Sequence, residues 1–214
     1  MKQVTNELLI IPVMSAGVSE SGELILMKRF IEGVRAYEEQ WPGSVTVLIR
    51  HAVKQGEGLD PVVFKPGENR FNVELLPNDK IGLKQRLGQA VAVLGTLASE
   101  NLEIGYLSQS AGIPVVWVTE TSAKTRGQII KAKAGGVLRR LKRLASNQLR
   151  ELSFQKVIAK AAAVQCNGTP TYQAYKDINH NSLLYFDSRV HQNMVITEAE
   201  IQAKEEHLAK GLPI

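Results

Sequence analysis

The chain has 214 residues, 44% of them hydrophobic and 22% charged, with 26 lysines and arginines against 21 aspartates and glutamates for a formal net charge of +5. That balance belongs to an ordinary folded chain and excludes the low-hydrophobicity, high-charge class of disordered proteins. The single cysteine, Cys166, excludes an intrachain disulfide, and a chain of this length buries a core without one, which predicts a reducing compartment. The apolar start at 8–14 is too short for a secretory segment and follows Glu7, although Ser15-Ala16-Gly17 would pass for a cleavage site. No stretch approaches the roughly 18 apolar residues of a membrane span, so the expected location is cytoplasmic. Length permits one large domain or two small ones.

Apolar runs of strand length recur at 8–13, 45–49, 73–76, 90–94, 113–118, 162–166 and 183–186. The first is followed by a small, glycine-bearing stretch, 14–23, and then by Leu24, Met27, Ile31 and Val34 at helical spacing. The stretch 53–70, with Gly56, Gly58, Pro61, Pro66 and Gly67, is the long irregular connection. Between the fifth and sixth runs, Ile130, Ala134, Val137, Leu141 and Leu144 fall on one helical face. Gly135-Gly136 breaks or kinks that helix, at about 1 kcal/mol per glycine relative to alanine. The sixth run ends in Asn167-Gly168-Thr169-Pro170, which reads as a strand end and a helix start with Thr169 as N-cap and Pro170 in the first turn. Asn167-Gly168-Thr169 also fits the glycosylation sequon, expected to stay unused in a cytoplasmic chain.

Continuously apolar strands suit a sheet covered on both faces, and their alternation with helices implies right-handed crossovers. The expected fold is α/β: a Rossmann-like, doubly wound, mostly parallel sheet of about seven strands with helices on both faces, spanning 1–196, with a C-terminal helix and the start of a linker over 197–214.

Such sheets bind ligands beyond the carboxyl ends of their strands. Four stretches belong there. The loop carrying Gly17, Ser19 and Gly22 would let backbone approach a sugar or phosphate, or is a plain strand-to-helix turn. Its glycine spacing fits neither the dinucleotide fingerprint nor a P-loop. After the fifth strand, Glu120 and Thr121 would meet sugar hydroxyls and Lys124 or Arg126 a phosphate; alternatively Thr121 or Ser122 caps a helix whose charges are solvated. After the sixth strand, Asn167 and Thr169 offer an amide and a helix start, while Cys166 reads as buried filler. After the seventh, Asp187 and Arg189 form an ion pair or hold a ligand. The four histidines are dispersed, so no metal site is expected, and the absence of a Gly-x-Ser-x-Gly elbow removes the simplest hydrolase reading.

Between Ser122 and Lys160 eleven basic residues face one acid, Glu151, so the rest of the chain is net acidic. Arg139, Arg140, Lys142 and Arg143 are the densest part. The segment reads as a solvated helix packed by its apolar stripe, as a surface lying peripherally on an anionic membrane, or, least favoured, as a nucleic-acid surface, since aromatics for base stacking are nearly absent.

The series LIIPVMSAGVSESGELILMKRFIEGV, GIPVVWVTETSAKTRGQI, VQCNGTPTYQAY and NSLLYFDSRV resembles the N-terminal, acceptor-side domain of a retaining glycosyltransferase of family four (group one) with the two-domain GT-B fold. The likeness covers nearly the whole chain, and its last three segments are the more specific. It implies sugar transfer from a nucleotide-sugar to a glycan or lipid-linked acceptor, with no cofactor or metal held by this domain. It also implies that Gly17 to Gly22, Glu120 to Arg126 and Asn167 to Thr169 face a cleft. Many relatives have a histidine where this chain has Glu120. The family's donor-binding half has no counterpart before the chain stops at KGLPI, so the resemblance implies half an enzyme, inactive alone and with an exposed cleft face that favours a homodimer. The competing reading is a non-catalytic module that docks through the basic segment 122–160.

Overall fold

The computed structural model describes residues 6–51, 60–133, 135–187 and 196–209. Arg189 and Ala134 lie outside them, as does 53–59 of the long connection. Seven strands form one parallel sheet: β1 (Glu7–Ile11), β4 (Ser44–His51), β6 (Asn72–Leu75), β7 (Ala92–Thr96), β8 (Val115–Thr119), β9 (Ala163–Asn167) and β10 (Ser182–Tyr185). Their spatial order is β6-β4-β1-β7-β8-β9-β10, every neighbouring pair parallel. The chain therefore builds outward from β1 through β4 to β6, returns to β7 on the other side of β1, and continues to β10. This is the doubly wound Rossmann-like order, with its switch point between β1 and β7.

Alternation along each strand divides the core. Leu9, Ile11, Val93, Trp117, Val164 and Cys166 point to one face, where α2 (Lys80–Leu87), α3 (Leu102–Ser110), α5 (Val137–Ala159) and α6 (Thr169–Tyr175) contribute Leu83, Ile104, Val157, Ile158 and Tyr175. Leu8, Ile10, Val45, Val47 and Leu94 point to the other, against Ile31 and Val34 of α1 (Lys28–Gln40). The Trp117 indole fits because Gly95 of β7 and Gly105 of α3 flank it. A Cβ on either would stand 2.8 Å from the ring.

The structure corrects the reading of 14–34. Leu24 and Met27 are not helical: β2 (Ser15–Val18) and β3 (Leu24–Met27) form an antiparallel hairpin, extended by β5 (Pro61–Val63) pairing with β3. β2 pairs with the far end of β4, so this ribbon stands at the carboxyl edge of the sheet. Helix α1 starts only at Lys28, after Leu26 is buried in the ribbon core with Phe64.

The predicted break in the basic segment is present. Helix α4 (Ala123–Ala132) and α5 are separate, and Gly136 stands at the N-cap of α5. Ser122 caps α4, accepting from the Thr125 backbone N–H at 3.2 Å. Helix α6 begins one position earlier than expected: Gly168 is its N-cap and Thr169 its first residue. Gly168 has φ +81°, a backbone that Thr169 could not share without strain. Helix α7 (Glu198–Ala209) opens with a capping box, Thr197 accepting from the Glu200 N–H while Glu200 accepts from the Thr197 N–H.

Candidate functional site

A groove of about 260 Å³ opens beside the switch point. Its floor is Ile10, Leu94 and Val118 from three adjacent strands, and α1 supplies one wall through Phe30, Val34 and Tyr37. Glu120, Tyr185 and Asp187, just past or at the ends of β8 and β10, complete the rim. Phe30, Gly33, Val34 and Tyr37 are spaced i, i+3, i+4 and i+7, so the helix turns one continuous stripe toward the groove.

The polar groups converge. Tyr37 donates to the Gln165 side-chain carbonyl of β9 at 2.9 Å. Burial pushes its phenol above the ordinary value, with Asp187 adding to the rise. Tyr185 is pushed up to about 12 by burial, reinforced by the negative charge of Glu120. Both rings therefore stay protonated and able to donate at neutral pH. The Asn167 side-chain oxygen accepts from the Asp187 backbone N–H at 3.2 Å, tying the ends of β9 and β10 together. Arg29 also lines the groove, with its Nε 3.6 Å from Asp60. Apolar floor, two phenols and carboxylates suit a hydroxyl-bearing ligand with an apolar face.

Of the residues singled out in the sequence, the structure brings Glu120 and Asp187 to this groove. Gly17 lies in β2 paired with Ile25, while Ser19 and Gly22 belong to the hairpin turn, where the Ser19 carbonyl accepts from Gly22 at 3.0 Å. None of the three lines the groove. Thr121 turns its carbonyl to the Arg126 guanidinium at 2.6 Å. Arg126 points inward: it donates to Asn147 at 2.9 Å and to the buried Glu151 carboxylate, and lies 5.1 Å from the Phe154 ring centroid. The position expected to meet a phosphate instead ties α4 to α5. Lys124 is exposed and lines a shallow groove between those two helices. Asn167 sits behind the rim and Thr169 is exposed on α6; the polar work there is done by Thr171, whose hydroxyl donates to the Asn167 and Gly168 carbonyls at 2.9 Å each. Cys166 is fully buried and its thiol is pushed up by that burial.

Sequence reasoning missed Tyr37 and Tyr185. The helical stripe was a signal for Tyr37. For Tyr185 nothing in the local pattern distinguishes it from strand filler.

A wider groove, about 1400 Å³, lies at the amino edge of the sheet. Its carboxylates are engaged by one arginine: Arg86 makes two hydrogen bonds to Glu7, at 2.7 and 2.9 Å, and two to Glu74, at 2.7 and 3.1 Å. It also faces away from the carboxyl ends where α/β sheets hold ligands.

No protein-family model matches the sequence, and no curated protein matches it significantly. Two structures of UGT2 from Phytolacca americana are similar to it. The apo form superposes with a TM-score of 0.51 at 10% identity, covering 93% of this chain and 54% of that one. The form complexed with UDP-2fluoro-glucose and pterostilbene gives 0.49 at 10% identity, covering 89% of this chain and 55% of that one. The chain spans about half the length of these chains. At such identity the likeness is one of fold: this chain has the Rossmann-like α/β arrangement found in a UDP-glycosyltransferase structure.

Proposed function

We propose that this chain is the acceptor-binding part of a GT-B glycosyltransferase, its groove holding the hydroxyl-bearing substrate that receives a sugar. One observation carries the reading: the groove at the switch point combines an apolar floor with Tyr37, Tyr185 and Glu120, hydrogen-bonding groups for hydroxyls. Arg29 is the cation on its lining, and it is engaged with Asp60. A nucleotide diphosphate needs converging N–H donors or several cations, so the groove suits the acceptor better than the donor. In the two-domain enzyme, the donor half would present the sugar while this half orients the acceptor hydroxyl and excludes water. The resemblance to family four supports the same assignment.

The test is a titration of the isolated chain, followed by amide chemical shifts, with alkyl glycosides and separately with UDP. Glycosides shifting residues around Tyr37, Glu120 and Tyr185, with UDP leaving them unmoved, is the expected result. UDP saturating those residues at micromolar concentration would overturn it.

A further inference from the structure

Helix α5 buries one face and leaves an apolar row outside it. The inner face, Asn147, Glu151, Phe154, Val157 and Ile158, is buried on the sheet and against α4. The outer row of Leu138, Leu141, Ala145, Leu149 and Leu152, spaced three to four residues apart, is exposed, with Leu138 at 83% and Leu141 at 57%. Four exposed leucines aligned on one helix face make a continuous apolar strip, which marks an interaction surface more than scattered exposed apolar residues do.

The placement of this row is as telling as its composition. The Asn147 amide donates to the Ala123 carbonyl at 3.0 Å, so Asn147 is level with the carboxyl edge of the sheet, where α4 begins. From Asn147 to Ile158 the helix spans the sheet. The ten residues before Asn147 run beyond it, about 15 Å at the α-helical rise, and α4 accompanies them in the opposite direction. Residues 123–133 and 135–146 thus lie in a helical hairpin projecting from the edge on which the groove opens.

Charge identifies what covers it. From Ala123 to Arg150 the sequence holds nine bases and no acid. The acid of α5, Glu151, is buried against Arg126. Arg139, Arg140, Lys142 and Arg143 are all exposed, Lys142 and Arg139 flanking the leucine row and Arg140 and Arg143 on the side toward α4. A nucleic-acid duplex would take the bases and leave the leucines in water. An anionic bilayer surface accommodates both, with apolar side chains at the acyl boundary and cations among the headgroups.

We propose that the α4–α5 hairpin docks this protein on an anionic lipid surface, Leu138 and Leu141 entering the headgroup layer and its bases lying on lipid phosphates. The inference does not depend on the glycosyltransferase reading. If both hold, the groove opens toward the membrane and the acceptor is reached there.

The experiment is cosedimentation of the full chain with vesicles of phosphatidylcholine alone and of phosphatidylcholine with about a third phosphatidylglycerol, in low and high salt. Expected is binding to the anionic vesicles only, fading with salt. Leu138→Ser with Leu141→Ser should lower the partition coefficient about tenfold or more. Arg139→Gln, Arg140→Gln, Lys142→Gln and Arg143→Gln together should lower it by at least about 100-fold. All of these positions are exposed, so unchanged far-UV circular dichroism and melting are expected of both variants. Absence of vesicle binding, or binding indifferent to both variants, overturns the proposal. So does salt-sensitive retention on duplex DNA without vesicle binding, or a dimer that the leucine variant dissociates while vesicles are ignored.

Discussion

The Tyr37 phenol and the Gln165 side chain meet at 2.9 Å across 128 positions of sequence, joining α1 to β9 over the groove. Ile31 and Val34 pack α1 on its face, and this bond adds a directed tie to the sheet. Tyr37→Phe removes the donor and keeps the ring. Thermal or urea unfolding should register a loss of about 0.5–1.5 kcal/mol. Glycoside affinity should fall by about fivefold or more, read in the same chemical-shift titration, because the hydroxyl is part of the lining.

Glu120→Gln tests the carboxylate on the rim. The side chain is exposed, so stability should change by no more than about 0.5 kcal/mol. In an intact two-domain enzyme the acceptor KM should rise or kcat fall, by about tenfold. Unchanged kinetics would remove Glu120 from the site. The same variant should also lower the Tyr185 phenol below about 12, since the Glu120 charge helps to raise it. Ultraviolet titration of the tyrosines checks that without any ligand.

Arg126 and Lys124 stand two residues apart and should behave oppositely. Arg126→Ala removes the cation paired with the buried Glu151 carboxylate and takes their Arg126 donor from the Asn147 side-chain oxygen and the Thr121 carbonyl, which should cost about 3–5 kcal/mol in denaturant unfolding. Lys124→Ala on the exposed first turn of α4 should stay within about 0.5 kcal/mol. Equal, small effects would show that the α4–α5 tie is dispensable.

Glu7 and Arg86 give the fold an acid-sensitive anchor. The Arg86 hydrogen bonds hold the Glu7 carboxyl below its ordinary 4.5, and Glu7 in turn raises Arg86 far above its usual range. A depressed carboxylate contributes stability that is complete above its ordinary value and lost as pH falls through its value in the folded chain. Glu7→Gln should therefore cost about 2–4 kcal/mol at pH 7, and the difference from the unaltered chain should shrink steadily below pH 4.5. Urea midpoints at a series of pH values check the sign.

Gly105→Ala should cost about 1–3 kcal/mol by driving a methyl to 2.8 Å from the Trp117 ring. Trp117 fluorescence should report the disturbance even where the fold survives.

Much of the architecture was legible because buried parallel strands are continuous apolar runs, and all seven such runs fall on strands of the parallel sheet. The hairpin was not. Leu24, Met27, Ile31 and Val34 match a helical period, and two four-residue strands are too short for alternation to contradict it. The groove was half legible. Glu120 follows a strand end and stands out as a carboxylate, whereas Tyr185 acquires its role only when β10 is laid beside β9. Arg126 misled for a related reason: a base in a loop-like stretch looks free, and its acid lies 25 residues on, hidden in a helix. Helix α5 shows a further limit. The stripe read in the sequence leaves Val137 and Leu141 exposed, and the face the sheet takes lies further on, at Asn147, Glu151, Phe154, Val157 and Ile158, where two polar residues interrupt the apolar pattern.

The bonds among Arg126, Asn147 and Glu151 sit where α5 leaves the sheet, so the ten residues before Asn147 are clamped at their root and free at their tip. A beam supported in that way does not bend most at its end; it delivers torque to its fixing. The fixing is one turn from Ser122 and two residues beyond it from Glu120. A load on Leu138 or Leu141 would act on that root, and a shift of the Glu120 carboxylate on hairpin engagement is the measurable sign that it reaches the groove rim.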